Sequence, residues 1–136
     1  MVVDDYSLNR DLLMRQLERL GIQAEPFENG RDAWLAWSPG TYDIVFTDCH
    51  MPLLDGYSLA RAIRRREAAM SLPSMPVIGW TANLFASEVQ RCHAAGMNDV
   101  LQKPSTSQDL RRVLARWVLL FPESGSAVAT TGAQDS

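Results

Sequence analysis

Five short apolar runs alternate with five helix-periodic segments over residues 1 to 121 of this chain, and that alternation limits the folds open to it. VV at 2 to 3, AEPF at 24 to 27, DIVFT at 43 to 47, MPVIGW at 75 to 80 and DVLQ at 99 to 102 read as strands, the β-branched runs most clearly. Between them, Ser7 is expected to cap a helix with Leu12, Leu13, Leu17 and Leu20 on one broad face and a stop at Gly21. Asn29 opens a short helix carrying Ala33 and Trp34. A third runs from about Ser58 to Ala69, with Leu59, Ala60 and Ile63 inward and Arg64, Arg65 and Arg66 mostly solvated. The fourth spans 85 to 95 before Gly96, and the fifth spans 107 to 120 with Leu110, Val113, Leu114 and Trp117 at helical spacing. Strand followed by helix five times implies parallel pairing through right-handed crossovers, hence an α/β, doubly wound sheet covered on both faces.

Residues 1–121 make one expected domain, and 122–136, PESGSAVATTGAQDS, read as a flexible tail or linker. A net charge of −3 argues against direct nucleic-acid binding. No apolar run is long enough for a membrane span, so no membrane contact by this domain is expected. Cys49 and Cys92 lack CxxC spacing and fit a reduced, cytoplasmic setting. The first strand is short at its start, and Met1 is expected to mark a cut within a longer chain.

In an open parallel sheet, ligands bind beyond the carboxyl ends of the strands, where strand order reverses. Strand one ends in Asp4 and Asp5, strand three in Asp48, strand four in Thr81, and strand five in Lys103 and Pro104. Carboxylates gathered at one edge repel unless a cation sits among them. Mg²⁺, which takes one or two carboxylates along with phosphate oxygens, suits that need. Lys103 is the only lysine in a chain whose other basic residues are all arginine. An ammonium and a hydroxyl facing a strand-tip carboxylate are the parts of phosphoryl transfer, with the carboxylate itself as nucleophile.

DD at 4 to 5, FTDCHMPLLDG at 46 to 56, Thr81-Ala82 and Lys103-Pro104 together resemble the receiver domain of two-component response regulators. The helix segment NRDLLMRQLERLG, TDCHMPLLDGY and AAGMNDVLQKP look most similar to receivers in hybrid sensor histidine kinases of the Bvg/Evg virulence-sensor type. The resemblance implies a flavodoxin-like, CheY-like sheet of order 2-1-3-4-5. It makes Asp48 the acceptor of phosphate from a phosphohistidine, with Asp5, Asp48 and the backbone carbonyl of His50 on Mg²⁺ and Asp4 acting through a metal-bound water. Thr81 and the N–H of Ala82 would hold phosphoryl oxygens, and Lys103 would pair with Asp48 and then with the phosphoryl group. Pro104 would follow a cis bond, and Met51, Pro52, Asp55 and Gly56 would shape the loop after the acceptor strand. Departures fall at Val100, where many receivers carry an aromatic residue coupled to the switch threonine, and at the variable positions His50 and Asn83.

The expected partners are a histidine kinase domain as phosphodonor and a histidine phosphotransfer domain as acceptor, with Leu8, Leu12 and Pro52 as docking candidates. A truncated or stand-alone response regulator with an output domain is the alternative, as is an interaction module that is never phosphorylated. A haloacid-dehalogenase-like phosphatase needs a second acid two residues after its nucleophile, where this chain has His50. The Cys49-His50 and Cys92-His93 pairs are read as packing and not as a thiolate metal site, because adjacent side chains on one element point apart. Trp34, Trp37 and Trp117 are read as packing, and Trp80 as a neighbour of the switch.

Overall fold

The structure, a computed structural model, describes residues 1–118. The end of the helix expected to reach 120, and the expected tail at 122–136, lie outside them. The elements are β1 (Val2–Val3), α1 (Ser7–Arg19), β2 (Pro26–Phe27), α2 (Gly30–Ala36), β3 (Val45–Asp48), α3 (Gly56–Ala69), β4 (Val77–Thr81), α4 (Ala86–Ala94), β5 (Asp99–Gln102) and α5 (Ser107–Trp117). All strands pair in parallel in the order β2-β1-β3-β4-β5, as expected. The chain divides into Met1–Ser105, which holds the whole sheet, and a unit that begins at Thr106. In the second, α5 is capped by Thr106, whose side chain accepts the Asp109 N–H, and Leu110, Val113 and Leu114 are its buried positions.

Alternation along the strands sorts the core of the first unit. Val3, Val45 and Val77 pack with Ala33 of α2, Leu59, Ala60 and Ile63 of α3, and Cys92 of α4. Val2, Phe46, Ile78 and Trp80, of the opposite parity, are buried outside that cluster, as are Leu13 and Leu17 of α1. Helices thus cover both faces, which is why β3 and β4 read as unbroken apolar runs.

Three local expectations are corrected. Ser7 does not cap α1: Tyr6 stands at the cap without a side-chain bond, because Asp4 Oδ1 already accepts the Tyr6 N–H at 2.9 Å and turns the chain there. The third helix starts two residues before Ser58, at Gly56, because Asp55 caps it by accepting the Ser58 N–H at 2.8 Å. Arg64 is only partly exposed and is tied down. Its guanidinium donates to Gly96 O, Met75 O, Asn98 Oδ1 and the buried Glu67, a carboxylate that requires a countercharge. Trp34 and Trp37 stack with centroids 5.7 Å apart, which agrees with a packing role.

Gly56 is required by the close approach of two backbones. A Cβ built there would lie 2.1 Å from Asp48 O and 3.1 Å from Cys49 Cα, and neither is a side chain that could swing away. Gly56→Ala is therefore expected to cost about 2 kcal/mol, the usual scale for overpacking, measured as a lower midpoint in urea.

Candidate functional site

The parallel register brings the strand tips to one edge. Val3 is opposite Thr47, Asp48 opposite Trp80, and Thr81 opposite Gln102, so Asp4, Asp5, Asp48, Thr81 and Lys103 follow one another around it. Asp4 is fully buried and Asp48 nearly so, while Asp5 is exposed, and an oxygen from each lies within 4.8 Å of the others. The Lys103–Pro104 peptide is cis, as the resemblance implies. Lys103 Nζ stands 2.7 Å from Asp4 Oδ2, 3.3 Å from Asp48 Oδ1 and 5.0 Å from the centre of the Trp80 ring. A single ammonium over a buried aromatic floor thus serves two carboxylates.

Burial drives the Asp48 carboxyl above the ordinary carboxylate range, and the nearby Asp4 charge adds to this. Lys103 and the His50 N–H pull the other way without cancelling it. The Asp48 carboxylate is therefore held in a site that undercompensates its charge. Asp4 Oδ2 is buried and, beyond the Lys103 ion pair, has no aligned hydrogen-bond donor. An all-oxygen donor set with surplus negative charge fits a hard divalent cation such as Mg²⁺.

Thr81 ends β4 with its hydroxyl accepting the Asn83 N–H at 3.3 Å, and Asn83 Oδ1 in turn accepts the Phe85 N–H at 2.8 Å. Ala82 lies exposed between them, its carbonyl accepting from Gln102 Nε2. Val100 is half-buried and packs on the core. After Asp48, the chain makes a tight turn in which Leu54 N–H bonds Pro52 O and Leu53 takes φ 73, a left-handed conformation that side-chain-bearing residues rarely adopt. Leu8, Leu12 and Pro52 are exposed, and none belongs to the acid cluster.

Sequence reasoning missed the surroundings of His50. Its exposed ring meets Glu88 of α4 and the edge of Tyr57 of α3, and the Tyr57 hydroxyl donates to Glu88. Cys49 and Cys92, 43 residues apart, touch. No local spacing signals these contacts, because they are made across two crossovers.

The sequence pattern of the response regulator receiver domain family matches residues 1–115. The chain is 42% identical over 135 residues to the virulence sensor protein BvgS of Bordetella pertussis, covering 95% of this chain and 11% of that protein. It is 44% identical over 115 residues to the sensor histidine kinase RcsC of Salmonella typhi, covering 85% of this chain and 12% of that protein. It therefore spans about a tenth of the length of these relatives. Among solved structures, the receiver domain of a sensor histidine kinase from Pseudomonas aeruginosa, described with magnesium coordinated in its active-site cleft, superposes with a TM-score of 0.74 at 35% identity, covering 85% of this chain and 93% of that one. Among the described residues, no helix is long and apolar enough to cross a membrane. A match over that much of the sequence, in a sheet of this order, leaves one assignment: the chain belongs to the response regulator receiver domains, and is homologous to those carried within hybrid sensor histidine kinases.

Proposed function

We propose that Asp48 accepts a phosphoryl group from a phosphohistidine and passes it to the histidine of a phosphotransfer domain, as a cytoplasmic relay module of a hybrid sensor histidine kinase. The observation that carries this reading is Lys103 Nζ, 2.7 Å from Asp4 and 3.3 Å from Asp48 at the tip of a rigid, buried strand. A carboxylate oxygen of Asp48 attacks phosphorus in line as the phosphorus–nitrogen bond to the donor imidazole breaks. Lys103 is freed from Asp48 to meet a phosphoryl oxygen as charge moves onto the new group. Thr81 and the Ala82 N–H, on the adjacent strand end, take the remaining oxygens once the Asn83 turn yields the hydroxyl. Asp4, Asp5, Asp48 and the His50 carbonyl would hold Mg²⁺, which when bound offsets the carboxylates and the phosphoryl charge. Residues 1–121 would form the receiver and 122–136 a linker. The exposed Leu8 and Leu12 of α1, with Pro52, would meet the phosphotransfer partner.

Beryllofluoride, a phosphoryl mimic, tests the reading in the presence of Mg²⁺. Amide NMR shifts centred on Asp48, Thr81, Ala82 and Lys103 are expected. A spectrum that does not change would make this chain an inert interaction module.

A further inference from the structure

Four side chains of unlike chemistry meet under the loop that follows Asp48, and phosphoryl transfer uses none of them. Cys49 Sγ and Cys92 Sγ are 3.5 Å apart and both residues are fully buried. A Glu88 carboxylate oxygen lies within 4.8 Å of both sulfurs, and His50 Nε2 is 3.3 Å from Glu88 Oε2. We propose that Cys49, Cys92, Glu88 and His50 form a second metal site, for a thiophilic tetrahedral cation of the Zn²⁺ class.

Three of the four donors, the two sulfurs and a Glu88 oxygen, already lie within reach of one ion, and His50 joins them through Glu88. Two thiolates bound to zinc at about 2.3 Å stand about 3.8 Å apart, so these sulfurs need to open by only a few tenths of an ångström. A carboxylate oxygen and an imidazole nitrogen on the same ion stand about 3.3 Å apart, the separation already present between Glu88 and His50. The His50 side chain is 62% exposed against 15% for Glu88, so an ion enters from that side, and a turn of the ring off the Tyr57 edge would bring its nitrogen to the ion. Gly79 keeps the strand bare beneath the pair: a Cβ there would lie 2.8 Å from Met97 Sδ and 3.3 Å from Cys92 Sγ. Tyr57 positions the carboxylate by donating to Glu88, and its own ring is held by the Arg91 guanidinium 4.2 Å above it. The two clusters differ in softness: carboxylate oxygens alone at Asp4, Asp5 and Asp48, two sulfurs with a single carboxylate here. On binding, both thiol protons leave to solvent and no electron moves. An ion at this site ties α4 to the segment just after the acceptor.

Cobalt(II) is the probe, titrated into metal-free, reduced protein with saturating Mg²⁺ to fill the oxygen site. One equivalent is expected to give intense visible tetrahedral bands and a near-ultraviolet thiolate-to-cobalt band, both displaced by one equivalent of Zn²⁺. Cys92→Ser and Cys49→Ser should each cut the thiolate band to about half or less, the pair of changes together should abolish it, and Tyr57→Phe should weaken affinity about tenfold. Because both cysteines are part of the buried core, His50→Ala and Glu88→Gln supply the second arm, each weakening cobalt affinity in protein whose circular dichroism is unchanged. A weak octahedral spectrum that Asp5→Asn removes, or affinity untouched by both His50→Ala and Glu88→Gln, would overturn the site.

Discussion

Asp48→Asn is expected to take up no phosphoryl label from a phosphorylated histidine kinase, and yet to melt at a higher temperature than the unaltered chain when both are free of Mg²⁺. The first outcome follows from chemistry: an amide oxygen at the same strand tip has no charge to form the phosphorus–oxygen bond. The second follows from the direction of the carboxyl's shift. Burial, with Asp4 adding to it, outweighs the relief from Lys103 and the His50 N–H, so the folded protein holds the Asp48 proton above the ordinary carboxylate value. Between that value and the raised one, the folded state binds more protons than the unfolded state, and stability falls as pH rises through the window. Above the raised value the whole cost is present, and asparagine removes it. The gain should shrink as pH drops toward the ordinary carboxylate range, where the native acid is also neutral. Thermal unfolding at pH 7 and near pH 4, without metal and with Mg²⁺, checks both signs. Added Mg²⁺ should stabilise the native chain more than the variant. Normal labelling of Asp48→Asn would remove Asp48 from the acceptor role, and a lower melting temperature at every pH would show that the carboxylate is fully compensated.

Much of this site was legible because its parts lie where the chain's two periods change over. A strand of period two ends, a helix of period 3.6 begins, and the residues at that junction are fixed by topology to one edge of a parallel sheet. Asp4, Asp5, Asp48, Thr81 and Lys103 all sit at such junctions, so the rule that collects strand ends collected them. What the rule could not reach was side-chain traffic between elements. Arg64 reads as one of three solvated arginines because nothing in the local pattern reveals that Glu67 is buried beside it, with the Gly96 and Met75 carbonyls in reach. Ser7 reads as a cap because the competing acceptor, Asp4, belongs to the strand before the helix. The meeting of Cys49 with Cys92 depends on Gly79 leaving space between them, a fact about the neighbouring strand and not about either cysteine's surroundings in sequence.

Lys103→Met should lower stability by about 3 kcal/mol in the absence of metal, the scale for removing one partner of a buried ion pair. Methionine keeps most of the volume of the lysine stem, so packing beside Trp80 is largely preserved and the loss is electrostatic. Asp4 is fully buried, and its Oδ2 has the ammonium at 2.7 Å and no aligned hydrogen-bond donor. Asp48 loses the same ammonium at 3.3 Å, which is the larger of the two groups holding its carboxyl down, so its proton is held higher still. Because that folded value moves up while the unfolded one stays put, the deficit grows as pH rises through the widened window and narrows in acid. A divalent cation supplies the charge that the ammonium gave, so Mg²⁺ should recover part of the loss in Lys103→Met. Urea midpoints at unchanged slope, with and without Mg²⁺, measure it. A deficit indifferent to both pH and Mg²⁺ would make Lys103 a packing residue. A deficit that responds to both, together with slowed labelling of Asp48, would establish that one cation holds the acids together before transfer and steadies the phosphoryl group after it.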